Sequence, residues 1–102
     1  TFDGSVIVMG DVNAGAEIVA TGDVLVFGNL RGIVHAGARG DEEARVCAWR
    51  LQPVQLRIGR LIARPPDGAA EEALVPEMAS VSEGRVVIER VARLEEGRTA
   101  RG

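Results

Sequence analysis

The chain has 102 residues, and 46% of them are hydrophobic. This length and hydrophobic content are sufficient for one hydrophobic core but too small for two stable domains. Its 15 acidic residues outnumber its 12 basic residues, all of them arginine, and this balance argues against broad binding to a nucleic-acid backbone. The single cysteine, Cys47, cannot form an internal disulfide, and no apolar run approaches the roughly 20 residues of a membrane-spanning helix. No secretory signal is visible at the start, so we expect a cytoplasmic protein.

A six-residue repeat occupies the first third of the chain. Residues 5–34 divide without a gap into SVIVMG, DVNAGA, EIVATG, DVLVFG and NLRGIV. The second position is always a branched aliphatic residue, and the last position of the first four segments is glycine or alanine. A helix with about 3.6 residues per turn would rotate the aliphatic position around its surface. We therefore predict short strands separated by small-residue corners.

The repeat is stronger at an offset of 18 residues, where SVIVMGDV at 5–12 aligns with DVLVFGNL at 23–30. The aligned pairs are Val6 with Val24, Val8 with Val26, Gly10 with Gly28, and Val12 with Leu30. This pattern predicts an all-β fold of the three-sided parallel β-helix (β-solenoid) type, with successive coils hydrogen-bonded about 4.8 Å apart. Its interior would be a column of Val, Ile, Leu and Ala side chains.

The register breaks at residues 35–45, where we predict a corner and a surface loop. Val46 lies 22 residues after Val24, so an insertion of about four residues at Gly40–Glu43 explains the shift. Strand-like spacing resumes at 45–49, 51–58 and 60–63, and a short C-terminal capping strand is predicted at 85–91. We predict one domain over residues 1–102, with regular coils at about 5–63, the loop insertion at about 38–43, a linker and closing strand at about 64–92, and a frayed tail at 93–102.

No catalytic, cofactor or metal site is predicted. His35 is the only histidine and has no recognisable ligand spacing to carboxylates or Cys47, so we interpret it as a corner histidine bonded to backbone. Asp11 and Asp23 each follow a glycine, and turn chemistry explains them better than a catalytic pair. One alternative is a fragment of a hexapeptide-repeat acyltransferase, in which a histidine acts as general base, but such an enzyme needs a longer coil stack.

Residues 10–41, GDVNAGAEIVATGDVLVFGNLRGIVHAGARGD, resemble the C-terminal domain of the MinC family of cell-division inhibitors. The family pattern is GDVNPGAE, a short apolar strand, an LRG motif and an HAG motif. This sequence departs from it at Ala14, where proline is usual. Residues 44–58 and 76–89 resemble the family's next segment and its closing strand, so the resemblance covers most of the chain.

The resemblance implies a right-handed three-sided β-helix that forms a homodimer and binds the ATPase MinD. It further implies that the domain helps direct inhibition of the FtsZ ring, and that it reaches the membrane periphery only through MinD. Such a domain is an adaptor and not an enzyme, and it uses no cofactor. A second alternative is a self-polymerising scaffold similar to bactofilins, which would form filaments where a MinC-like domain stops at a dimer.

The resemblance also assigns site residues. It implies MinD contacts at Asp11, Asn13, Glu17, Arg31 and Gly32, with Arg31 as a charge-assisted hydrogen-bond donor. For the dimer interface we expect Trp49, Leu51, Val54 and Leu56. Independently, the apolar residues Ile7, Leu25, Phe27, Trp49 and Leu51 would mark an interface if they lie outside the core.

Overall fold

The computed structural model describes residues 1–63 and 76–90, and every regular element within them is a β-strand. The strands are β1 (Val6–Met9), β2 (Glu17–Val19), β3 (Val24–Leu30), β4 (Ile33–Ala36), β5 (Val46–Leu51), β6 (Gln55–Ile58), β7 (Leu61–Ala63), β8 (Glu77–Ser82) and β9 (Arg85–Arg90). In this part of the chain, no helix is long and apolar enough to cross a membrane.

The strands form two sheets. One has five strands in the order β1-β3-β5-β8-β9, and the other has four in the order β2-β4-β6-β7. From β1 to β6 the chain alternates between the sheets, so β1 with β2, β3 with β4, and β5 with β6 form three successive layers. Strands of neighbouring layers pair in parallel.

The 18-residue register predicted from the sequence is confirmed between β1 and β3, whereas β2 and β4 pair at an offset of 16 residues. Val6 pairs with Val24, Val8 pairs with Val26, and an isolated parallel bridge joins Val12 to Leu30. The next layer is offset by the four extra residues, because Val24 pairs with Val46. Part of the extra length lies in a turn in which the Gly37 carbonyl accepts the Gly40 N–H at 2.8 Å.

The expected right-handed, three-sided parallel β-helix is wrong. The described strands form two open sheets of mixed direction, because β7 is antiparallel to β6, β8 to β5, and β9 to β8. Between Met9 and Glu17 the expected third side contributes only the bridge from Val12. In the last layer the residue stacked below Val12 and Leu30 is Leu51, at the end of β5, and the following connection contains Pro53, which has no N–H for a ladder. After β6, Gly59 (φ 60°) reverses the chain, so β7 runs back along β6.

The single capping strand predicted at 85–91 corresponds to β9, which pairs along its length with β8. The closing element is therefore a hairpin, which extends the five-stranded sheet beyond β5. Residues 64–75 and 91–92 of the predicted linker and closing strand, and the predicted tail at 93–102, lie outside the described residues. The division into one domain stays a prediction.

Aliphatic side chains from both sheets form one core, as the repeat predicted. Its buried hydrophobic members are Val12, Ile18, Ala20, Val24, Val26, Leu30, Val34, Ala36, Ala44, Val46, Ala48, Leu51, Leu56, Ile58 and Ala79. Burying a Val, Leu or Ile side chain contributes about 1.5–3 kcal/mol, so this cluster is the main source of stability. Alternate residues of β1, β3 and β5 point away from it and form the outer surface.

Candidate partner-binding surfaces

The connections between the two strands of each layer stack on one another. They are residues 10–16 between β1 and β2, residues 31–32 between β3 and β4, and residues 52–54 between β5 and β6. The Arg31 N–H donates to the Val12 carbonyl at 2.8 Å, and the Val54 N–H donates to the Gly32 carbonyl at 2.9 Å. Main-chain hydrogen bonds thus hold the three connections in one stack. We call the surface formed by this stack and the adjoining residue Glu17 the connection surface.

Charged and polar side chains project from the first two layers of this surface. Asp11, Asn13, Glu17 and Arg31 are all exposed. Glu17 begins β2 and pairs with Ile33, two residues after Arg31. An acidic and a basic side chain are therefore presented from adjacent layers, an arrangement suited to charge-assisted hydrogen bonds with a protein partner.

Short polar side chains fasten one layer to the next. Asp11 Oδ1 accepts the Asn29 N–H at 2.8 Å, and Asp23 Oδ1 accepts the Arg45 N–H at 2.9 Å. Ser5 Oγ accepts the Asp23 N–H at 3.0 Å. The interpretation of Asp11 and Asp23 as turn residues is thereby corrected, because their carboxylates bond the following layer and not their own turn.

The outer side of β1, β3 and β5 in the five-stranded sheet is apolar. Ile7 pairs with Leu25 and Met9 pairs with Phe27, so the four side chains lie side by side on two strands. Trp49 projects from the same side of β5. Met9 is 78% exposed and Trp49 is 48% exposed, so large hydrophobic groups here face solvent. We call these five residues the apolar face.

Cys47 lies on the same outer side of the five-stranded sheet, between Leu25 on β3 and Met78 on β8. Partial burial raises the pKa of its thiol above the ordinary value. The thiol therefore stays protonated at neutral pH, and a protonated thiol is a poor nucleophile. The sulfur acts here as part of an apolar surface.

The His35 side chain is held by a hydrogen bond to the main chain. Its Nε2 lies 2.9 Å from the Gly59 carbonyl oxygen, which confirms the predicted backbone hydrogen bond, although His35 lies in β4 and not at a corner. Among the described residues, no group of three or more His, Cys, Asp or Glu side chains could hold a metal ion.

Comparison with known families assigns the chain. Residues 1–91 match the family model of the septum formation inhibitor MinC, C-terminal domain. The chain belongs to the MinC C-terminal domain family. Probable septum site-determining proteins MinC from Acetivibrio thermocellus and Heliobacterium modesticaldum are 53% identical over 91 residues and 52% identical over 89 residues. These matches cover 88% and 87% of this chain but only 40% and 31% of the relatives.

A solved structure supports the same assignment. A chain of the MinC:MinD cell division protein complex of Aquifex aeolicus superimposes with a TM-score of 0.82 at 32% identity. The match covers 89% of this chain and 76% of that chain. The arrangement of two mixed sheets is therefore shared with a MinC-family structure.

The five residues that the MinC resemblance assigned to MinD all lie on the connection surface. Asp11, Asn13, Glu17 and Arg31 are exposed there, whereas Gly32 is buried and supplies main chain only. Their role in MinD binding stays a prediction, and the structure adds that they are neighbours in space.

The four residues assigned to the MinC dimer do not share one surface. Trp49 lies on the apolar face, and Val54 is exposed on the connection surface. Leu51 and Leu56 are 4% and 0% exposed and belong to the core, so in this fold they offer no side-chain surface to a second copy. The dimer interface itself stays a prediction.

The sequence reasoning missed Met9, which is 78% exposed and completes the apolar face. Its position two residues after Ile7 was a usable signal, because side chains two apart in a strand share a side. It also missed Glu77, whose buried carboxylate accepts the Leu51 N–H at 3.0 Å. No local pattern marks this contact, since the partners are 26 residues apart.

Proposed function

We propose that this chain is the MinD-binding and dimerisation domain of a septum site-determining protein of the MinC type. The observation that carries the proposal is the 32% identity and TM-score of 0.82 to a chain of a MinC:MinD complex, together with family membership. The domain acts by binding and not by catalysis. It is cytoplasmic, reaches the membrane periphery through MinD, and there helps direct inhibition of the FtsZ ring.

The connection surface is the proposed MinD site. Support comes from the exposed Glu17 and Arg31, which project from adjacent layers and can bond to charged groups of a partner. Arg31 is the stronger candidate, since a guanidinium can bind a carboxylate through two parallel hydrogen bonds. Glu17 would in turn accept hydrogen bonds from a basic partner side chain.

The apolar face is the proposed dimer interface. Exposed aromatic and sulfur-containing side chains such as Phe27, Trp49 and Met9 are enriched in protein interfaces and uncommon as a contiguous surface on monomers. A two-fold dimer would bring the same face of two copies together and remove it from water. It would also leave the connection surface of each copy free for MinD.

The test is recruitment of the purified chain to lipid vesicles by its cognate MinD with ATP, measured by co-sedimentation. We expect recruitment only with ATP-bound MinD, and a loss of about tenfold or more in Glu17→Ala and Arg31→Ala, as for charge-assisted hydrogen bonds. Matched controls are Glu89→Ala and Arg39→Ala, which remove exposed charges of the same kind outside the connection surface.

Recruitment that does not depend on Glu17 or Arg31 would contradict the proposed surface. If neither this chain nor a longer chain of the same protein reached the vesicles, the proposal of MinD binding would be wrong.

A further inference from the structure

The carboxylate of Asp11 lies on the connection surface but is already engaged within the chain. Its Oδ1 accepts the Asn29 N–H at 2.8 Å, across 18 residues of sequence. Asn29 stands two residues before Arg31. The contact therefore joins the first layer to the segment that carries the proposed MinD-binding arginine.

That segment is held on both sides of Leu30. Asp11 binds the Asn29 N–H, the Val12 carbonyl accepts the Arg31 N–H at 2.8 Å, and the Leu30 side chain is fully buried between them. The register of β3 with β5 shifts between Val26 and Asn29. Where a ladder is irregular, a side-chain hydrogen bond contributes more to the path of the main chain.

We propose that Asp11 is a positioning residue for partner binding. It fixes the main chain at Asn29, thereby directs Arg31 towards the partner, and makes no ionic contact with the partner itself. The proposal rests on the proposed MinD binding and revises the role that family resemblance gives to Asp11. It predicts that the hydrogen-bond acceptor at position 11 matters and that the negative charge does not.

Three variants separate these roles in the vesicle co-sedimentation assay with ATP-bound MinD. Asp11→Asn keeps an acceptor oxygen and loses the charge, whereas Asp11→Ala loses both. Asp23→Ala is the matched control, because it removes the same kind of bond, from Asp23 Oδ1 to the Arg45 N–H, at a place that does not carry Arg31.

We expect Asp11→Asn and Asp23→Ala to bind within about threefold of the unmodified chain, and Asp11→Ala to bind at least about tenfold more weakly. Equal losses in Asp11→Asn and Asp11→Ala would overturn the proposal in favour of an ionic contact. An equal loss in Asp23→Ala would overturn it in favour of general destabilisation.

Amide hydrogen exchange at Asn29, measured by NMR on the free chain, tests the positioning step without MinD. Exchange should be near that of the unmodified chain in Asp11→Asn and at least about tenfold faster in Asp11→Ala. Unchanged exchange in Asp11→Ala would overturn the proposal whether or not MinD binds.

Discussion

Gly32 lies where two layers of main chain approach each other closely on the connection surface. A Cβ at this position would be 2.6 Å from the Asn13 carbonyl oxygen, and the Ala16 carbonyl oxygen is a further close neighbour. Carbon atoms do not approach main-chain oxygens this closely, and neither oxygen belongs to a flexible side chain. Glycine is required here by lack of space, so the LRG motif has a structural reason for its last residue.

Replacing Gly32 with alanine should therefore destabilise the fold by about 1–3 kcal/mol, the usual cost of overpacking. The measurement is the midpoint of urea unfolding. Gly15→Ala is the control, because nothing lies within 4 Å of a Cβ added at Gly15. If Gly32→Ala unfolded at the same urea concentration as Gly15→Ala, the close approach of the layers would not be a constraint.

The hairpin of β8 and β9 is joined to the end of β5 by a hydrogen bond to a buried carboxylate. Glu77 is 7% exposed, and its Oε1 accepts the Leu51 N–H at the end of β5. Leu51 is itself buried, so no water is available to replace this acceptor. The antiparallel ladder between β5 and β8 pairs Val46 to Ala48 and does not reach Leu51. The Glu77 carboxylate therefore supplies the acceptor for the Leu51 N–H.

We expect Glu77→Ala to lower the free energy of unfolding by about 1–3 kcal/mol, because it leaves the Leu51 N–H without its acceptor. Glu77→Gln keeps an oxygen in place and should lose less. Urea unfolding measures both, with Glu89→Ala as the control for removing an exposed glutamate from the same hairpin. Equal losses in Gln and Ala variants would mean that the charge of Glu77, and not its hydrogen bond, stabilises the hairpin.

The parallel stacking of β1, β3 and β5 could be predicted from the sequence, but the antiparallel strands that close the two sheets could not. Spacing of Val6, Val24 and Val46 predicted the parallel pairs of β1, β3 and β5, since a repeat places equivalent residues over one another. A repeat contains no information about the antiparallel return of β7, β8 and β9. The turn between β8 and β9 is also weakly marked, because Glu83 (φ 54°) and Gly84 (φ 80°) lack the usual Asn-Gly sequence.

Part of the candidate site was likewise predictable. The residues of the connection surface could be predicted from the GDVNAGAE and LRG motifs. These motifs are short, and the repeat places one of them in each of the first two layers. The burial of Leu51 does not follow, since Leu51 is two residues after the exposed Trp49 and strict alternation would place both on one side. The register shift between Val26 and Asn29 on the neighbouring strand accompanies this break, and such irregularities depend on pairing with distant residues.

For the whole molecule, the apolar face predicts the oligomeric state. The unmodified chain should sediment as a dimer, and Trp49→Glu should shift it to the monomer. A two-fold interface would place two added carboxylates in a desolvated surface, which costs several kcal/mol. Ile62→Glu is the control, because Ile62 is similarly exposed, at 51%, but belongs to the four-stranded sheet.

Analytical ultracentrifugation distinguishes the outcomes. A monomeric unmodified chain, or a dimer that persists in Trp49→Glu, would contradict the proposed interface. Filaments would favour the scaffold alternative over a MinC-type adaptor.

Among the strands that the structure describes, those of the first layer pair with one neighbouring layer only. In residues 1–63 and 76–90, β1 and β2 each lie at one edge of their sheet and pair with β3 and β4. Local opening should therefore cost less there than in the second layer, which is paired on both sides. The first layer carries Glu17, whereas Arg31 belongs to the second layer. A partner that bridges Glu17 and Arg31 would hold the first layer closed against the second. Its affinity would then depend on how fully that layer is preorganised before the partner arrives.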